Sequence, residues 1–86
     1  YPEKGIAVHD DNEVELTKNE NKILQIMLSK KEKIVSRDEI INEMWQSDEF
    51  IDDNTLTVNV NRLRKKLGEI GLHDYISTKR GQGYIV

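Results

Sequence analysis

Three stretches of this chain repeat apolar residues at one-turn spacing, and two of them open on a capping signature. Thr17 is followed by Glu20, then by Ile23, Leu24, Met27 and Leu28; Ser36 is followed by Glu39, then by Ile40, Ile41, Met44 and Trp45. In such a box the hydroxyl satisfies an orphan N–H inside the helix, and the glutamate turns back to the cap's own N–H. Helices are therefore expected from Thr17 to the Lys30-Lys31 pair, whose charges suit the negative pole, and from Ser36 to about Trp45. Val35 is spaced to staple onto Ile40. The third stretch is TLTVNVNRLRKKLG, residues 55–68, where Leu56, Val60, Leu63 and Leu67 fall on one narrow stripe. Asp53 or Asn54 is its expected cap, and Gly68 its expected terminator. In 86 residues, three such stripes have one core to share.

The segments around them are too short for more helix. IAV (Ile6 to Val8) precedes the cluster HDDN, and Val14 and Leu16 then alternate with Glu13 and Glu15, a period-2 pattern. An antiparallel hairpin turning at Asp10-Asp11-Asn12 follows from this. QSDEFIDDN, residues 46–54, is acidic and aperiodic and reads as a loop. Trp45 and Phe50 are expected to anchor in the core, with contact to another protein the alternative for Phe50. After a linker at Glu69–His73, Tyr75 to Thr78 is a strand, KRGQG turns it, and Tyr84 to Val86 returns. The order strand, strand, helix, helix, loop, helix, hairpin is that of an α+β winged helix-turn-helix, one domain over residues 1–86.

Composition removes several classes. There is no cysteine, so no disulfide framework and no thiolate metal site. No apolar run approaches the length of a membrane span. His9 and His73 lack metal-ligand spacing, and the pairs Asp10-Asp11 and Asp52-Asp53 read as turns and caps. Ser36 is a cap with no histidine near it in sequence, and Gly81-Gln82-Gly83 is too short for a phosphate loop. No catalytic residues, cofactor or metal are therefore expected, and the chain does not read as an enzyme. The first residue is Tyr1, as expected of a fragment or a processed chain.

The net charge of −3 is a misleading average. Residues 1–53 carry seven Lys/Arg against fourteen Asp/Glu, whereas residues 54–86 carry six against two. On the third helix, Asn54, Val58, Asn61, Arg62 and Lys65 lie opposite the apolar stripe, with Thr55 and Lys66 on one flank and Arg64 on the other. No acid occurs between Asn54 and Gly68. Such a helix fits the major groove of duplex DNA: asparagine amides and Arg62 toward base edges, Val58 on a thymine methyl, threonine and lysines near phosphates. Lys79 and Arg80 stand at the bend of the hairpin, where a wing tip reaches the backbone or minor groove. Asn59 lies beside the stripe, as a packing-edge or a phosphate-contacting residue, and Lys66 also suits the helix C-terminus. A module that binds only protein, through its acidic helices and Phe50, is the rival reading. An RNA-binding winged helix would show more exposed aromatics.

ELTKNE, VSRDEI, MW, TLTVNVNRLRKKLG and ISTKRGQGY together resemble the OmpR/PhoB-type DNA-binding output domain of bacterial two-component response regulators, over nearly all of residues 5–86. The resemblance implies an N-terminal antiparallel sheet of about four strands, with Tyr1 falling inside or just after the first of them, and a phosphoacceptor receiver domain upstream, on which a sensor histidine kinase acts. It places Asn59, Asn61, Arg62 and Arg64 at positions used for DNA, Thr55 at a phosphate-contacting position and Arg80 at the wing arginine. Residues 46–54, with Asp48, Glu49 and Phe50, match a loop that contacts RNA polymerase in the family. A cytoplasmic domain is implied, monomeric alone and paired on tandem direct repeats. Within the family the similarity leans toward regulators of cell-envelope or antimicrobial-peptide responses. Many relatives carry arginine at the position of Asn54 and a basic group at that of Asn59, so weaker single-copy binding is expected here.

Overall fold

Both capping signatures form, one of them in full. The computed structural model describes residues 1–86, all except the side chain of Pro2. After a short 3-10 turn at Pro2–Lys4, the elements are β1 (Ile6–His9), β2 (Asn12–Glu15), α1 (Lys18–Ser29), α2 (Arg37–Gln46), α3 (Asp53–Glu69), β3 (Ser77–Lys79) and β4 (Gly83–Ile85). Thr17 and Glu20 exchange both bonds of the capping box at the start of α1. Ser36 caps α2 by accepting from the Glu39 amide, but the Glu39 carboxylate is drawn to Lys30 Nζ at 2.8 Å. That pairing, with the Ser36 hydrogen bonds behind it, holds the carboxyl below the usual carboxylate range.

The termini of α3 differ from expectation by a residue or more. Asp52 is the cap, accepting from the Thr55 amide at 2.7 Å, which also depresses its carboxyl pKa. At the other end the helix runs through Gly68. Gly71, at φ 95°, is the left-handed residue. The Gly71 amide donates to the Gly68 carbonyl at 3.1 Å and the Leu72 amide to the Leu67 carbonyl at 2.9 Å, the paired bonds of a Schellman terminus.

The predicted stripe of α3 is the seam of the core. Leu56, Val60, Leu63 and Leu67 are buried against Ile23, Leu24, Ile26 and Met27 of α1 and Ile40 and Met44 of α2. Each such side chain stabilises the fold by roughly 1.5–3 kcal/mol relative to exposure. Leu28 lies at the rim, exposed. Trp45 and Phe50 are not core anchors: they are 53% and 66% exposed and pack edge to face, centroids 5.0 Å apart. Trp45 retains one tie inward, Nε1 to the Ile51 carbonyl at 3.1 Å, while Ile51 takes the buried place in the loop.

Two antiparallel hairpins close the helices. The first pairs Ile6 with Glu15 through His9 with Asn12, so the turn is Asp10-Asp11; the sheet has two strands rather than about four. The second pairs Ser77 with Ile85 and Lys79 with Gly83 around Arg80, Gly81 and Gln82. Its inner strand is also sewn to the connector before α2. Val35 and Tyr84 exchange two backbone bonds at 2.8 and 2.9 Å, and the Glu32 amide donates to the Val86 carbonyl at 2.9 Å. Among the described residues no helix is long and apolar enough to cross a membrane.

Candidate nucleic-acid interface

Seating the Leu56–Leu67 stripe on α1 and α2 turns the opposite side of α3 to solvent. Asn54, Thr57, Val58, Asn61, Arg62 and Lys65 are exposed there, and Thr55 is half-buried at the edge. The wing lies alongside, because Arg64 spans the gap: Nε donates to the Ile76 carbonyl and an Nη to the Asn61 side-chain oxygen, both at 3.2 Å, while the other Nη reaches the Thr78 hydroxyl. At the wing tip Lys79 and Arg80 are exposed. Helix and wing therefore present one continuous cationic surface.

Several cations elsewhere on the molecule are paired with acids. Lys18 bonds Glu49 at 2.7 Å, Lys30 bonds Glu39 and Glu43, and Arg37 bonds Asp53 at 3.2 Å. The acid-free stretch Asn54 to Gly68 hides one further pair: Lys66 reaches across to the buried Glu20 of α1 at 2.6 Å. It belongs to the core rather than to the outward face. Among the described residues Arg62, Lys65, Lys79 and Arg80 have no carboxylate partner; Lys4, Lys22, Lys31 and Lys33 also lack one, but they lie within residues 1–53, which hold fourteen Asp/Glu against two in residues 54–86. Four cations left uncompensated beside exposed amides and a valine methyl form a surface suited to a polyanion with apolar and hydrogen-bonding features.

Other predicted residues are placed less simply. Asn59 is buried at 7% exposure, and its amide donates to the Thr55 carbonyl at 2.8 Å. Arg64 is engaged on three sides within the protein, as described. In the loop, Asp48 and Phe50 are exposed, but Glu49 is half-buried and held by Lys18, whose pKa that hydrogen bond raises.

Arg37 and Tyr84 were not singled out by sequence reading, yet they join helix and wing. Arg37 donates to the Tyr84 hydroxyl, and the guanidinium carbons of Arg37 and Arg64 lie 5.8 and 5.7 Å from the Tyr84 ring centroid. A signal did exist: a cation in the first turn of a helix opposes the dipole unless something else holds it.

Residues 11–86 match the family described as "Transcriptional regulatory protein, C terminal". The sensory transduction protein BceR of Bacillus subtilis (strain 168) is 55% identical over 83 residues, which are 96% of this chain and 36% of BceR. Among solved structures, the C-terminal domain of the nisin resistance regulator NsrR, a lantibiotic response regulator, superposes with a TM-score of 0.89 at 48% identity, covering 95% of this chain and 84% of that one. The DNA-binding domain of the response regulator AdeR, solved in complex with an intercistronic region, gives a TM-score of 0.75 at 30% identity, covering 96% and 94%. The chain spans about a third of the length of the curated relatives it matches. The fold, the motifs and the match over residues 11–86 agree: the chain belongs to the OmpR/PhoB family, as a winged-helix output domain of the response-regulator type.

Proposed function

We propose that this domain binds double-stranded DNA sequence-specifically to regulate transcription, with α3 in the major groove and the wing on the adjacent backbone or minor groove. The observation that carries this is the row Arg62, Lys65, Lys79 and Arg80, exposed on α3 and the wing without carboxylate partners, in residues 54–86, which hold six Lys/Arg against two Asp/Glu. Asn61, Val58 and Arg62 face bases; Thr55 and Lys65 approach phosphates from the helix, and Lys79 and Arg80 from the wing. Asn59 and Arg64, occupied within the protein, support the surface from behind. The domain acts in the cytoplasm as the output of a regulator switched by a histidine kinase through a receiver domain.

Arg62 separates base reading from charge. Arg62→Ala is expected to cost about 1–3 kcal/mol on the preferred duplex and to relax preference at one or two positions. Lys65→Ala and Arg80→Ala should weaken all sequences alike and reduce the salt slope by about one unit or less each. Titrations of duplexes selected from a random pool, repeated across salt, read both quantities. Equal loss on specific and random DNA would remove Arg62 from base reading, and a wild-type affinity without salt dependence would end the proposal. The same titration on one and two tandem sites should show one copy and then two; one copy on both would exclude tandem occupancy.

The α2–α3 loop supports a second contact, with a basic protein surface such as that of RNA polymerase. An exposed edge-to-face aromatic pair beside Asp48 is an unusual use of surface. Replacing Asp48 and Phe50 by Ala should leave DNA affinity unchanged and lower transcription driven by the full-length regulator. Unchanged transcription, or a parallel loss of operator occupancy, would show the loop to be structural.

A further inference from the structure

We propose that Arg37 is a positioning residue that fixes the wing against α3, so that Lys79 and Arg80 meet the same duplex as Arg62. The inference rests on the DNA-binding reading above and adds a residue that reading does not use. Arg37 is the first residue of α2, and its donors reach two other elements at once. Nε bonds the Asp53 carboxylate at 3.2 Å; one Nη bonds the Asp53 carbonyl at 2.7 Å and the Thr57 hydroxyl at 2.8 Å; the other Nη bonds the Tyr84 hydroxyl of β4. One rigid plane thus ties α2 to the first turn of α3 and to the inner strand of the wing.

The wing needs such a tie. It has three residue pairs, and a hairpin of that size has little stability or orientation of its own. Arg64 holds the outer strand, through the Ile76 carbonyl and the Thr78 hydroxyl. Arg37 holds the inner strand, through Tyr84, whose ring is buried and lies near both guanidinium groups. Tyr84 pairs with Thr78 in the register, one pair from the Lys79–Gly83 step at the tip. A tilt at Tyr84 is carried directly to Lys79 and Arg80. A lysine at position 37 would keep the charge but not the fork that reaches three partners.

The test is affinity for the preferred duplex in two backgrounds, the natural wing and a wing carrying Lys79→Ala with Arg80→Ala. Arg37→Met, Arg37→Lys and the conservative Tyr84→Phe are compared in each, and amide exchange is followed in the DNA-free proteins. With the natural wing, both Arg37 variants should lose affinity about five- to tenfold, and Tyr84→Phe less. In the stripped wing the same changes should cost less than about twofold, because a misplaced wing has nothing left to misplace. Exchange should quicken at Thr78 to Tyr84 and not in α1. A loss undiminished in the stripped wing, or affinity restored by Arg37→Lys, would make Arg37 a phosphate contact and overturn the proposal. Unchanged wing exchange in all three variants would overturn it too. Absence of DNA binding by the unmodified protein would instead sink the reading beneath it, while the exchange comparison still decides whether the tie exists.

Discussion

Gly83→Ala is expected to destabilise the domain by about 3 kcal/mol or more, a fall in melting temperature on the order of 15 °C. Gly83 sits at φ 144° where β4 crosses the connector before α2, and an added Cβ would lie 2.1 Å from the Val35 carbonyl oxygen and 2.8 Å from Ser36 Cα. Both are backbone atoms, so no side chain can swing aside. Relief requires the two segments to part, which breaks the paired bonds between Val35 and Tyr84 and loosens the cap of α2. Gly81→Ala is the matching control: nothing lies within 4 Å of its added Cβ, and only the left-handed backbone is penalised, at about 1–2 kcal/mol. Thermal unfolding of the two variants measures the difference. Equal losses would mean that the close approach to Val35 contributes nothing and that both glycines serve only the turn.

That contrast shows where sequence reading reaches its limit. Gly-x-Gly between strand formers announces a hairpin, and the hairpin is there. Which glycine turns the chain and which admits a second backbone depends on a segment almost fifty positions earlier, at Val35, so spacing alone cannot say. The α3 stripe was legible because Leu56, Val60, Leu63 and Leu67 obey a period set by the helix itself. Thr17 and Glu20 were legible because a capping box is local. The cap of α3 was misplaced because Asp52, Asp53 and Asn54 are all good caps, and only the path of the loop chooses among them. Trp45 and Phe50 looked like core residues from their size, but Ile51 is the buried residue of the loop and the two rings pack on each other outside.

The candidate site divides in the same way. Its unpaired members, Arg62, Lys65, Lys79 and Arg80, were visible as charge in sequence. Its braces were not, because an arginine that reads as a solvent cation becomes a strut once carbonyls and hydroxyls of another element surround it. Arg64 and Arg37 are both of this kind, and Asn59 is the amide counterpart, turned back to its own helix. The overall negative charge conflicts with polyanion binding only as an average. Lys18, Lys30 and Arg37 each pair with an acid, Lys66 pairs with Glu20, and no acid between Asn54 and Gly68 offsets Arg62 or Lys65.

Lys66→Met is expected to cost about 2–3 kcal/mol at neutral pH, because it strands the most deeply buried charge in the domain. Glu20 is 1% exposed; one carboxylate oxygen accepts from the Thr17 amide and from Lys66 Nζ, and the other has no partner. Burial pushes this carboxyl up, but the Lys66 and Thr17 hydrogen bonds and the Lys66 charge outweigh it and hold the pKa below its ordinary value. A carboxylate depressed on folding adds stability that is full above its unfolded pKa and is lost as pH falls through the lower folded one. Without Lys66 only the Thr17 hydrogen bonds oppose the burial cost, so the Glu20 pKa rises from its depressed value and the variant loses less stability than the natural protein as the solution is acidified. The stability difference between the two proteins should therefore be large at neutral pH and shrink through the carboxylate range, where contributions from Glu39 and Asp52 cancel in the comparison. Glu20→Gln keeps an acceptor for the Thr17 amide and removes the charge, so adding Lys66→Met to it should cost under about 1 kcal/mol. Denaturant unfolding of the four proteins across pH decides the matter. A Lys66→Met cost that is equal in both backgrounds and constant with pH would reduce Lys66 to the packing of its aliphatic stem, with the ion pair contributing nothing to the seam between α1 and α3.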